Sequence, residues 1–200
     1  RQAPNSVFDE GVEHMLDFVQ REGGITAVCV STHTAQGGSE RPSAEAQADH
    51  GVPRRGDGPL PPTPVWMPFE RSFYRGTSLE MSPRPGAEDL AGSDVLATVI
   101  PPARARGMKV YARHLEAFHE ALHARFPSFA KVRQVDVFGQ TQPSPCWNHP
   151  EYRAFWHGYV RQVTSRYEID GLLLGAERDA SLEPMLHHGE APRCFCRHCL

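Results

Sequence analysis

An α/β fold with parallel strands is what this sequence predicts. Three observations carry that expectation. Apolar runs of strand length alternate with segments of helical periodicity, the runs are continuous rather than alternating, and polar residues collect after each run. Continuous runs suit strands covered on both faces, and strand–helix alternation builds parallel βα units.

The elements follow in order. Over residues 7–21, Phe8, Val12, Met15, Leu16 and Val19 recur at three- and four-residue spacings. Ser6 is placed to cap this helix and Gly23-Gly24 to end it. A buried strand is expected next, over residues 25–31, ending at Ser31-Thr32-His33, with Cys29 as a small core residue. Residues 34–92 are dominated by Gly, Pro, Ser and Arg, a composition that predicts a long irregular loop. Its aromatic islands at residues 65–69 and 73–74 are expected to anchor it to the core, with a lid or a substrate platform as the alternative.

A helix is expected over residues 94–106, kinked by Pro101-Pro102 and closed by Gly107. A second strand, 108–113, runs into His114-Leu115-Glu116, and a short helix is expected over 117–125. A third strand is expected over 132–138, then a polar loop over 140–148 holding Cys146. Pro150 suits a helix start, with Tyr152, Phe155, Trp156, Tyr159, Val160 and Val163 on its apolar face. The fourth strand, 169–175, leads into Ala176-Glu177-Arg178-Asp179. Four such units predict the N-terminal half of a (β/α)8 barrel. The rival is an open doubly wound sheet, but its Gly-rich phosphate turn follows none of the strands.

Barrel chemistry sits where strands end. Those ends carry His33, then His114 and Glu116, then Asp136, then Glu177 and Arg178. Each also has a structural reading: His33 as a turn cap, Glu116 as a helix start, Asp136 as an acceptor for backbone donors. Glu177 follows an apolar strand directly, and would donate a proton if burial raised its pKa, with Arg178 opposing that rise.

The chain closes on Cys194-Phe195-Cys196-Arg197-His198-Cys199, and Cys146 lies well upstream. Four convergent thiolates are what a closed tetrahedral zinc site needs. With three cysteines so near one another, His198 is expected to be a spectator. One or two disulfides among the five cysteines are the alternative. An odd count leaves one thiol over either way, and neighbouring Cys-x-Cys pairs bridge poorly.

The segments Asp136-Val137-Phe138-Gly139, Cys146-Trp147-Asn148-His149-Pro150-Glu151, Ile169-Asp170-Gly171 and the terminal cysteine knuckle together resemble the middle of glycoside hydrolase family 42 β-galactosidases and related glycosidase-like barrels. The resemblance spans roughly residues 132–200, and the cysteine arrangement is its specific part. It implies a structural zinc held by Cys146, Cys194, Cys196 and Cys199. It implies Glu177 as general acid/base in a two-carboxylate mechanism on a carbohydrate. His33, His114, Glu116, Asp136 and Arg178 become candidate substrate-binding residues, while the nucleophile belongs to a seventh strand beyond this chain. Ala176 stands where the family carries Asn. Two other readings stay open: a non-catalytic carbohydrate-binding scaffold, and a metal-dependent hydrolase or lyase using His33, His114, Asp136 and Glu177. No His-x-His pair ends the first strand to favour the last.

Composition bounds the partners. Net charge is -3, with no clustered Lys/Arg face for a nucleic acid, and no apolar run approaches the ~20 residues that cross a bilayer. The start at Arg1 and the end one residue past the knuckle suggest the N-terminal part of something longer. The open strand edges of a half barrel leave self-association as a homo-oligomer open.

Overall fold

The computed structural model describes residues 7–8, 10–33, 65–81, 94–115, 126–175, 186, 189 and 191–200. They fall into two compact units. The first contains residues 7–33, 65–68, 94–115 and 166–174; the second contains residues 69–81, 126–165 and 191–200. The expected helix at 117–125 and most of the 34–92 loop lie outside the described residues. Among the described residues, no helix is long and apolar enough to cross a membrane.

In the first unit, α1 (Val12–Gly23) buries Met15 and Leu16. Gly11, at φ 86°, interrupts the helical turn that precedes it, so the helix starts later than its apolar spacing suggests. Gly24 ends it in the left-handed conformation, donating to Gln20 and Val19 carbonyls. Strand β1 (Ala27–His33) follows. The 65–68 segment is tied across its end: Trp66 N–H donates to Thr32 O at 2.9 Å, and Val95 N–H donates to Trp66 O at 2.9 Å. Trp66 also stacks on Phe8, so this aromatic island anchors the loop to the core.

Helix α2 (Val95–Ala105) is capped by the Asp94 carboxylate, which accepts from Ala97 N–H at 3.0 Å. It runs through Pro101 and Pro102. Each proline removes a bond to the carbonyl four residues back, at Ala97 and Thr98. Neither residue is buried, so water can take those carbonyls. Its inner face, Val95, Leu96, Val99, Ile100 and Ala103, is buried, and α2 packs on α1 and on both β1 and β2 (Lys109–Leu115). At the end of α2, Arg106 pairs with Glu13 and Asp17 of α1, each at 2.7 Å.

Strands β1 and β2 are parallel, in register from Ala27 opposite Lys109 to Ser31 opposite Arg113; a shift then sets His33 opposite His114. Val28, Val30, Val110 and Ala112 form one buried face. The C-terminal strand, here labelled β5 (Gly171–Gly175), completes a three-stranded parallel sheet of order β1-β2-β5. Asp170 seats it: its backbone N–H donates to Val110 O at 2.8 Å, and its carboxylate accepts from Val110 N–H at 2.7 Å. Arg104 pairs with the same carboxylate at 2.9 Å. Gly171 lets β5 approach, since a Cβ there would stand 2.9 Å from the Tyr111 ring.

The second unit corrects the expected third strand. Strand β3 is only Arg133–Val135, and it pairs antiparallel with β4 (Thr141–Pro145), inside what reads as a polar loop. Val137 and Phe138 continue the apolar run in sequence but sit on the turn, 48% and 76% exposed. Asp136 and Gly139, at φ 81°, reverse the chain before those side chains can extend a strand. The parallel sheet therefore has three described strands rather than four. The expected second and fourth strands are neighbours, whereas sequential barrel order would put the third between them.

Helix α3 (Pro150–Arg166) is the core of this unit, burying Tyr152, Phe155, Trp156, Tyr159, Gln162 and Val163. The 69–81 segment lies along it. Tyr74 packs over Gly158, where an added Cβ would come within 2.6 Å of the ring and 2.9 Å of the Phe73 carbonyl. Glu70 N–H donates to Gln162 Oε1 at 3.3 Å. A polar clamp closes the other end: Glu151 accepts from Ser78 N–H at 2.8 Å and from Ser78 Oγ at 2.7 Å, and pairs with Lys131 at 2.8 Å.

Partial burial works to raise the Glu151 pKa, but Lys131 and the two Ser78 donors outweigh it and hold the carboxyl down to about 2. A depressed carboxyl pKa stabilises the fold above its unfolded value, and that stabilisation is lost as pH falls through the folded value. Glu151→Gln should therefore be less stable than wild type at pH 7, with the gap closing between about pH 4.5 and pH 2. Urea midpoints of both proteins across that range test this. A gap that persists unchanged to pH 2 would show that the carboxylate charge is not what the clamp uses.

Candidate metal centre

Two chain segments build the centre, both within the second unit. The first is the β3–β4 hairpin. Asp136 organises its turn: Oδ1 accepts from Phe138 N–H at 2.9 Å and Gln140 N–H at 2.8 Å, and Oδ2 accepts from Gln142 Nε2 at 2.7 Å. Asp136 is 3% exposed, and all three of these bonds lie inside the hairpin. Cys146 follows β4 directly, is 1% exposed, and donates its N–H to Val132 O at 2.7 Å. The turn after it feeds α3, with His149 N–H bonded to Cys146 O at 3.0 Å.

The second segment joins the free edge of β3. Val137 N–H donates to Pro192 O at 3.1 Å, Asp136 and Arg193 form an antiparallel bridge, and Phe195 N–H donates to Val135 O at 2.8 Å. This added edge carries Cys194 to the hairpin. A tight turn, with Cys199 N–H bonded to Cys196 O at 2.8 Å, then folds Cys196 and Cys199 back beside Cys146.

The four sulfurs lie within 4.8 Å of one another, and they are the one group of three or more metal-ligating side chains found among the described residues. Cys146 Sγ stands 3.4 Å from both Cys196 Sγ and Cys199 Sγ, and the latter two are 3.8 Å apart. A tetrahedral ion with metal–sulfur bonds of about 2.3 Å has sulfur–sulfur edges of about 3.8 Å. The cluster is already near that size, and all four thiols are free rather than joined as disulfides.

Amide donors surround the sulfurs. Val135 N–H reaches Cys194 Sγ at 3.4 Å, and Asn148 Nδ2 reaches Cys199 Sγ at 3.5 Å. Burial pushes the Cys146 thiol well up, with Cys196 and Cys199 adding to the rise, and burial also raises Cys194. Burial pushes Cys196 the same way, but the His198 N–H and the neighbouring thiols prevail and lower it. Four thiolates cannot coexist at this spacing without a cation; donors of this kind orient the ligands and spread their charge once it is bound.

His198 is a spectator to the sulfurs: its ring stands edge-on to His149 at 4.5 Å, and its Nε2 accepts from Arg197 Nε at 3.3 Å. His33 and His114 are register neighbours at the carboxyl ends of β1 and β2, and His114 is buried. Glu116, Glu177 and Arg178 lie outside the described residues. Asp136 acts as the acceptor of hairpin donors. Neither Asn148 nor the bridge at Arg193 is legible in the sequence; the only signal for Asn148 is its place two residues after Cys146.

If the hairpin turn sets the spacing of the cluster, Asp136→Ala should weaken metal binding about 10–100-fold, the range seen when partners of metal ligands are removed. Competition against a chelator measures this. Unchanged affinity in a folded Asp136→Ala protein would mean the cysteine segments assemble without the turn.

Comparison with protein-family models, with characterised proteins and with solved structures returned no match to this chain.

Proposed function

We propose that the chain is a carbohydrate-active α/β protein of the glycoside hydrolase family 42 type, stapled by a structural zinc. The observation that carries this reading is the convergence of Cys146 with Cys194, Cys196 and Cys199, because that arrangement is the specific part of the resemblance. Zinc suits an all-sulfur tetrahedral donor set, and four protein ligands close the site, which makes it structural rather than catalytic. In this reading Glu177 is the general acid/base and the second carboxylate lies outside the chain. His33, His114, Glu116 and Arg178 surround the sugar, and Asp136 supports the metal hairpin.

The half-barrel is the finer reading of the fold. The three parallel strands support it, and the adjacency of β2 and β5 runs against it. Ala176, in place of the Asn that would bind a sugar hydroxyl, favours a second reading: a scaffold that binds carbohydrate without cleaving it.

Elemental analysis of protein prepared without chelator should find about one zinc per chain, and Cys196→Ser should lower both occupancy and stability, since such binding is coupled to folding. Iron in place of zinc, or four free thiols and no metal, would overturn the zinc assignment.

Full-length protein carrying Glu177→Gln should lose about 10²–10⁴-fold in glycoside hydrolysis, and less on substrates with good leaving groups, which need less protonation. Hydrolysis at the wild-type rate would end the acid/base assignment. Sugar binding without hydrolysis in either protein would select the scaffold reading.

A further inference from the structure

We infer that Ser31 and Arg113, at the carboxyl end of the parallel sheet, form a binding site for the carboxylate of a small ligand. The two residues are register partners on neighbouring parallel strands. Their side chains therefore leave the same face of the sheet, from backbones about 4.8 Å apart. Ser31 is 1% exposed. Its Oγ and the Nη1 of Arg113 are both buried, and neither has a hydrogen-bond partner among the described residues. Among the described residues no carboxylate pairs with Arg113; beyond the strand ladder, its carbonyl accepts from Thr32 Oγ1 at 3.2 Å.

Leaving one buried polar atom unpaired costs about 1–3 kcal/mol, more where the group is charged, and native interiors leave few of them. Here two belong to register partners on one face of the sheet, and one is part of a permanent cation. A carboxylate offers one oxygen to a guanidinium N–H and the other to a hydroxyl, and neutralises the charge that water would leave in place. A single cation matches a monoanion better than a phosphate dianion. The location agrees, because ligands of parallel sheets bind beyond the carboxyl ends of the strands.

The test uses metal-replete full-length protein, with acetate, glucuronate, phosphate and chloride added at matched ionic strength. Acetate and glucuronate should raise the melting temperature saturably, phosphate less, and chloride not at all. Arg113→Met should weaken acetate and glucuronate binding about tenfold or more, as expected for a lost charged hydrogen bond. Without ligand it should melt at or above the wild-type temperature, because a buried guanidinium nitrogen without a partner among the described residues has gone. If Arg113→Met does not fold, Ser31→Ala carries the test, with several-fold weaker binding expected. No saturable response in wild type, or wild-type affinity in the folded variant tested, would overturn the site. Phosphate binding more tightly than the carboxylates would overturn the choice of ligand.

Discussion

Four sulfurs held within 4.8 Å of one another impose the governing constraint on the second unit. Protonated, they are a poorly satisfied cluster; ionised without a cation, they repel. The backbone must therefore present them at metal-binding distance without help from their mutual attraction. It does so by pairing residues 192–195 against the free edge of β3 while the hairpin brings Cys146 round from the other strand. One carboxylate, Asp136, holds the turn that makes both possible. The spacing of the four sulfurs is thus set by main-chain hydrogen bonds.

The rest of the second unit follows from what α3 must cover. The 69–81 segment covers part of its aromatic face, through Phe69 stacked on Tyr74 at 4.2 Å and Tyr74 against Phe155 at 5.2 Å. Gly158 is required because Tyr74 and the Phe73 carbonyl occupy the space a side chain would need. Polar groups are used at the ends: Gln162 and Arg161 take backbone groups of the segment, and Glu151 takes Ser78. A stretch that reads as loop is in this way fixed against a helix, with a single 3-10 turn, Arg71–Phe73, of its own.

The first unit rests on a different device. Three parallel strands need crossovers, and the register is secured where those crossovers end. Arg106 fixes α1 against the end of α2, and Asp170 holds β5 to β2 through both its backbone and its carboxylate. The Asp170 carboxyl is held below its ordinary value by the Val110 N–H and then by Arg104, as expected for an ionised acceptor at a strand entry. The apolar face of the sheet is covered by α2. The opposite face carries Tyr111, Ser31 and Arg113, which is where polar groups are left for a ligand.

The sequence by itself determined what depends on local periodicity and on residue chemistry. It was sufficient for the body of α1 and its glycine stop, for α2, and for α3 from Pro150. It was also sufficient for the three apolar strands and for the identity of the four cysteines. These rest on short-range spacing and on donor type, both of which a linear chain displays. Tertiary structure decided what depends on partners. Val137 and Phe138 look like strand, yet Asp136 turns the chain beneath them; residues 141–145 look like loop, yet the edge of β3 makes them strand. Strand order likewise lay beyond the sequence, because an apolar run records that it is buried but not beside which neighbour. The unpaired Ser31 and Arg113 were invisible for the same reason: a polar group is unsatisfied only relative to the atoms around it.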